Sequence, residues 1–236
     1  MLLAFFPFLI FLLSLLGFID LDESVILDGL FFVLPGDIAI LVCNFVSELT
    51  ATTSAGVMST ALFFSVYNTS NGFRAIVRIT NRAYGIEDRR GFAAQLGLSV
   101  MLMFLFSAAL IIMLALLVFG RQIWGAIFPG VHELLVMVMS GGGAVVLLVL
   151  VVMVIYRLAC STRLALRHIL PGAVFTVLTW VTVSGVFGFV MTNFTQYSAI
   201  YGSIAGVFIL ILWLNFVSMV LLVGNEANVL IREYFP

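Results

Sequence analysis

The chain contains no lysine, so all ten of its basic side chains are arginines. Arginine presents a planar fork that grips phosphate or carboxylate through two parallel hydrogen bonds. The usage is compatible with phosphate recognition and equally with genome composition. Charge of either sign is scarce, at 9% of residues, while 64% are apolar and the mean hydropathy is +1.27. Soluble domains run nearer one quarter charged and one half apolar, so a soluble fold is excluded and an integral membrane protein is indicated. Cys43 and Cys160 fall on opposite sides of the membrane in the topology below and cannot pair within one chain; neither has a metal-ligating neighbour, and both read as buried, inert thiols. His132 and His168 also sit on opposite faces and cannot share a metal.

The most decisive absence is that no Asp, Glu, His, Lys or Arg lies in the middle of any apolar segment. Proton relays, ion-coupled transport and intramembrane catalysis need such groups, which argues against a pump. The chain also lacks an H-E-x-x-H pair, a G-x-S-x-G elbow, a P-loop and a carboxylate pair at useful spacing. No catalytic residue, metal or cofactor is therefore assigned.

Long apolar runs are what the chain does have. A membrane-spanning helix needs about 20 apolar residues, and six segments qualify: 2–19, 54–76, 93–119, 134–156, 171–192 and 202–224. The first lacks a basic leader and a small-residue cleavage site and reads as a retained span. Residues 20–37 are acidic, and 38–49 have the period of a short interfacial helix. Gly141, Gly142 and Gly143 lie together inside the fourth segment, which implies close packing or local unwinding there. Pro171 is placed at the opening of the fifth, where its missing N–H is harmless.

Five of the ten arginines lie between residues 71 and 92, and Arg74, Arg78 and Arg82 recur every fourth residue, forming a comb on one helix face. Arginine beside apolar segments is retained on the cytoplasmic side. Placing both termini inside puts nine of ten arginines in the cytoplasm and seven of eleven acids outside. The expectation is a single all-α polytopic domain over 1–236, with six transmembrane helices, short interfacial helices and both termini cytoplasmic.

In the second segment Thr53, Thr60, Tyr67 and Arg74 recur at sevens, with Ser65, Asn68, Ser70 and Asn71 widening the stripe toward the comb. Such a stripe serves interhelical hydrogen bonding or lines a groove for a polar headgroup, and Asn215 in the sixth segment has the same two readings. The comb is topogenic or holds lipid phosphate. Nucleic-acid binding would want a broad basic surface with interleaved aromatics, which nine arginines in short loops hardly provide.

The most specific signals are Asn81, Tyr84 and Gly85 after the second segment, Tyr156-Arg157 ending the fourth, Pro171-Gly172 opening the fifth, Tyr197, Tyr201 and Gly202 entering the sixth, and Gly224, Glu226 and Asn228 leaving it. In this combination the chain resembles the YihY/BrkB family of bacterial inner-membrane proteins over essentially its whole length. Members usually carry a further cytoplasmic segment before the span resembling residues 3–17; it is missing here, so the resemblance implies a chain truncated or starting late. It also implies links to envelope integrity, serum resistance and lipid movement. The family's former ribonuclease label is not carried over, because no residue here can bind the metal or activate the water that such hydrolysis needs.

The expected function is envelope maintenance by binding or translocating an anionic phospholipid. Arg74, Arg78 and Arg82 would receive its phosphate, and Thr60, Tyr67, Asn68 and Asn215 would line the headgroup path. The alternative is a non-transporting scaffold, homo-oligomeric or bound to envelope proteins; a membrane-bound ribonuclease comes third.

Overall fold

A computed structural model describes residues 4, 7–8, 11–12, 55–127, 133–162, 164–193 and 195–234. The expected first span, the acidic stretch, the interfacial helix at 38–49, Cys43, His132 and Arg163 lie wholly or mainly outside these residues. Among the described residues the regular structure is helical, in five long helices: α1 (Ala55–Ala83), α2 (Phe92–Ile127), α3 (Glu133–Ala159), α4 (Leu166–Asn193) and α5 (Thr195–Tyr234). They overlap the second to sixth segments read from the sequence. Four contain stretches long and apolar enough to cross a membrane: Phe92–Leu116, Val138–Ala159, Leu166–Phe189 and Phe208–Tyr234. The helix α1 is more polar, yet its 29 residues extend roughly 44 Å at 1.5 Å per residue.

The pattern of burial is that of a protein solvated by hydrocarbon. Phe104, Val138, Val146, Leu150, Phe175, Leu178 and Phe208 all point outward, forming apolar surface that a soluble monomer does not display on this scale. Small polar side chains are instead turned inward, and Ser99, Ser107 and Ser140 each donate to the carbonyl four residues back. That bond satisfies the hydroxyl without a water molecule, as an apolar surrounding requires.

The helices α2 and α3 pair closely, as do α4 and α5; α3 joins the two pairs, and α1 lies along α2 while touching α3 and α5. The contacts gather the C-terminal ends of α1, α3 and α5 and the N-terminal ends of α2 and α4 at one end of the bundle. Tyr84 packs there against the cluster that contains Ile169, Cys160 and Leu164, and the Arg232 guanidinium lies over its ring at 5.8 Å. Arg78, Arg82, Arg89, Arg90, Arg157, Arg167 and Arg232 belong to this basic end.

Two expectations about chain breakers change. Pro171 lies inside α4, five residues after its start. The N–H of its neighbour Gly172 donates to Asn228 Oδ1 of α5 at 2.8 Å, so a side chain from another helix meets backbone beside the proline. The helix α3 runs unbroken through Gly141, Gly142 and Gly143, and a Cβ added at any of them would meet nothing within 4 Å. These glycines are neither closely packed nor an unwinding.

Gly85 does have a conformational duty. Its φ is +63°, and it ends α1 in a Schellman motif: Ile86 N–H donates to Asn81 O at 2.8 Å and Gly85 N–H to Arg82 O at 3.0 Å. A Cβ there has open space around it, so Gly85→Ala is penalised by backbone conformation alone. A left-handed non-glycine residue costs about 1–2 kcal/mol. We expect Gly85→Ala to lower stability by about 1 kcal/mol in detergent unfolding, and Gly85→Asn by less.

Candidate functional site

The basic end is held by two polar clamps built from helix termini. In the first, Asn81 is 2% exposed and bridges α1 to the end of α3. Its Nδ2 donates to Val77 O and Ala159 O, each at 2.9 Å, and its Oδ1 accepts from Ser161 N–H at 2.8 Å. From the α1–α2 connector, Arg90 donates to Leu158 O at 3.3 Å and Cys160 O at 3.0 Å. These carbonyls close α3 and have no partner within it, and a cation at a helix C-terminus is favoured by the helix dipole. Asp88 orients the group: it accepts from Ser161 Oγ at 2.9 Å and Gln95 Nε2 at 3.3 Å, and lies 3.9 Å from Arg90 Nε.

The second clamp joins α3, α4 and α5. The Tyr156 hydroxyl donates to Leu221 O at 2.6 Å and shares a 2.9 Å hydrogen bond with Thr176 Oγ1. Gly172 and Gly224 let α4 and α5 cross backbone against backbone, since a Cβ on either would collide with the other's carbonyl oxygen or with Thr176 and Asn228. Tyr84, outside the apolar spans, is pushed up to about 12 by burial first and by the neighbouring Cys160 second, so its phenol stays neutral. Its hydroxyl, like Asn228 Nδ2 and His168 Nε2, is buried without a hydrogen-bond partner.

Most of the motif residues carrying the family resemblance thus converge on this end. Asn81, Tyr84 and Gly85 belong to the first clamp or the turn beside it; Tyr156, Gly172, Gly224 and Asn228 form the second. Pro171, Arg157 and Glu226 are exposed at the same end. Tyr197, Tyr201 and Gly202 lie in the first turns of α5, and Thr60 in the first turns of α1; their side chains fall outside the described ones. Reading the sequence alone missed Asp88, Arg90, Ser161 and Thr176. The signal for Arg90 and Asp88 was faint, because a charged pair in a connector looks like any other topogenic loop.

The arginine comb belongs to neither clamp and lies on the face of α1 turned away from the bundle. Along that face Phe63, Phe64 and Tyr67 are 72%, 64% and 46% exposed. Asn68, Arg78 and Arg82 follow toward the basic end, all exposed. Arg74 is half-buried, donating to Asn71 Oδ1 at 3.3 Å and lying 4.6 Å from the centre of the Phe92 ring, a cation–π contact. The Asn68 amide donates back to Phe64 O at 2.9 Å. The opposite face of α1 carries the buried Ser65, Thr69, Ser70, Phe73, Val77, Thr80 and Asn81. Asn215, exposed on α5, donates to Ile211 O at 3.1 Å, and no hydrogen bond joins it to Tyr67, Asn68 or the comb.

Among the described residues no three His, Cys, Asp or Glu side chains come together as a metal site would require. Apolar outward faces, inward hydroxyls and a basic end closed by helix-terminal clamps define a polytopic α-helical membrane protein. The chain belongs to the family described as Virulence factor BrkB, whose model matches residues 1–235. It is 32% identical over 237 residues to the ribonuclease-like protein YfkH of Bacillus subtilis, covering 98% of this chain and 86% of that protein. It is 40% identical over 86 residues to UPF0761 membrane proteins of Xanthomonas campestris and Xanthomonas axonopodis, which is 36% of this chain and 20% of each relative. No solved structure matches the chain.

Proposed function

We propose that the chain is an envelope-maintenance protein of the bacterial inner membrane, with six spans, cytoplasmic termini and one transmembrane domain over 1–236, which binds or translocates an anionic phospholipid. The supporting observation is the graded outer face of α1. Aromatic rings at Phe63 and Phe64 give way to Tyr67 and Asn68 and then to Arg74, Arg78 and Arg82. Phe64 and Arg78 are 14 positions apart, about 21 Å along a helix, which is roughly half the 40–45 Å of a bilayer with its headgroups. Such a face matches one leaflet-length lipid: acyl chain on the rings, glycerol esters by Tyr67 and Asn68, phosphate on the arginines. The phosphate takes the bidentate hydrogen bonds that guanidinium supplies. Asn215 would serve as a second polar foothold on α5.

Each basic residue near an anionic surface contributes about 1 kcal/mol. Replacing Arg74, Arg78 and Arg82 together by Gln should weaken the retention of phosphatidylglycerol in nanodiscs on the order of 100-fold. Native mass spectrometry measures it, with tags at both termini checking that orientation is kept. Unchanged lipid retention and scrambling in a correctly oriented protein would sink the proposal.

A second reading, a scaffold for envelope proteins or a homo-oligomer, is favoured by the open face at Gly141, Gly142 and Gly143, where a partner helix could approach closely. Cross-linking from that face would then recover a stoichiometric partner while lipid assays stay silent. A ribonuclease, as in the name of YfkH, requires RNA cleavage by the pure protein, and we expect none.

A further inference from the structure

On the side of α1 away from the comb, all five helices enclose a partly open cavity of about 160 Å³. We propose that this cavity binds a neutral lipophilic molecule through a ring-sized apolar group carrying one hydrogen-bond acceptor. The size sets the scale: a dry engineered cavity of about 150 Å³ accepts benzene. The walls set the shape, because Phe8, Phe73, Phe106 and Trp180 all line it, and aromatic faces favour a flat partner in offset-stacked or edge-on contact.

The acceptor follows from Thr69. Its side chain lines the cavity, it is 2% exposed, and its hydroxyl has no hydrogen-bond partner. A helical threonine ordinarily bonds the carbonyl four residues back, and a buried hydroxyl without a partner is costly. A carbonyl or ether oxygen in the cavity relieves that cost. Neutrality follows from the lining, which includes no charged side chain; an anion would be left there without a counter-charge. Such a molecule partitions into the bilayer, so it reaches the cavity from the membrane.

This site is independent of the lipid face, because the arginines lie on the other side of α1. The test uses the full chain in nanodiscs, with bromobenzene and 4-bromoacetophenone as heavy-atom quenchers of Trp180 fluorescence. Ser218→Phe and Val217→Phe, which fill the cavity from two positions, supply the background. The expected result is saturable quenching over that background, with 4-bromoacetophenone binding about five-fold more tightly than bromobenzene, the size of one net hydrogen bond. Thr69→Val should remove that preference and Thr69→Ser keep it. Quenching with no saturable component over that background, or a saturable component that persists in both filled variants, overturns the proposal. A carbonyl preference that survives Thr69→Val overturns it equally. The Arg74, Arg78 and Arg82 to Gln protein should quench as the parent does, so failure of the lipid reading and failure of this one are separable.

Discussion

Replacing Gly172 by Ala is expected to cost about 2 kcal/mol, because the added methyl group meets backbone as well as a movable side chain. The new Cβ would run into the backbone carbonyl of Gly224 and the Asn228 amide. Backbone cannot swing aside as a side chain can, so the helices must separate where Asn228 Oδ1 accepts from Gly172 N–H. Overpacking costs about 1–3 kcal/mol and occasionally more. The gain from alanine's better helix propensity, about 1 kcal/mol, opposes it only in part. Gly224→Ala should follow closely, because its Cβ would collide with Thr176 Oγ1 and lie 2.8 Å from Gly172 O; Thr176 can turn, but then its bond to Tyr156 breaks. Gly142→Ala is the control. Nothing lies within 4 Å of its Cβ, so it should leave stability unchanged or raise it by up to about 1 kcal/mol. Thermal unfolding of the three variants in detergent checks the order. Equal melting temperatures for Gly172→Ala and Gly142→Ala would show that α4 and α5 do not cross here.

The second large effect is expected at Asn81. Truncation to Ala removes one donor and one acceptor at once, leaving Ala159 C=O and Ser161 N–H without the partners they have at 2.9 and 2.8 Å. Ala159 is fully buried, and a buried polar group left unpaired costs about 1–3 kcal/mol; Ser161 lies at the surface, where water can take its N–H, so a loss of about 1–3 kcal/mol follows. Asn81→Asp should do no better, because an anionic oxygen would face the carbonyls of Val77 and Ala159. The damage should be local before it is global, since Asn81 and Arg90 together hold the end of α3. Hydrogen exchange at Cys160, Ser161 and Thr162 should accelerate in Asn81→Ala, while amides in the middle of α2 stay protected. Uniform loss of protection would instead mean that Asn81 supports the whole bundle.

Both predictions turn on residues whose chemistry is visible in the chain but whose partners are not. The scarcity of charge and the apolar runs identify a membrane protein, because hydrocarbon tolerates backbone only when a helix satisfies it internally, a requirement met residue by residue along the chain. The four-residue recurrence of Arg74, Arg78 and Arg82 likewise places them on one face, as helix geometry demands. Tyr84 packs against the cluster that holds Ile169, so the end of α1 and the start of α4 meet.

What could not be read locally depends on what another helix brings near. Gly142 and Gly172 are the same residue in similar helices, yet one faces open space and the other the backbone of α5. Pro171 looked like a helix start, but α4 begins earlier and Asn228, more than fifty positions away, meets the backbone beside it. The polar stripe of α1 could have faced the bundle or away from it; periodicity groups residues on a face without saying where that face turns. Packing split it, turning Tyr67 and Asn68 outward and Ser65 and Ser70 inward, and set Thr69 in the cavity wall. Along one helix, neighbours are prescribed by 3.6 residues per turn; between helices they depend on contacts across many residues of sequence, which no local pattern encodes.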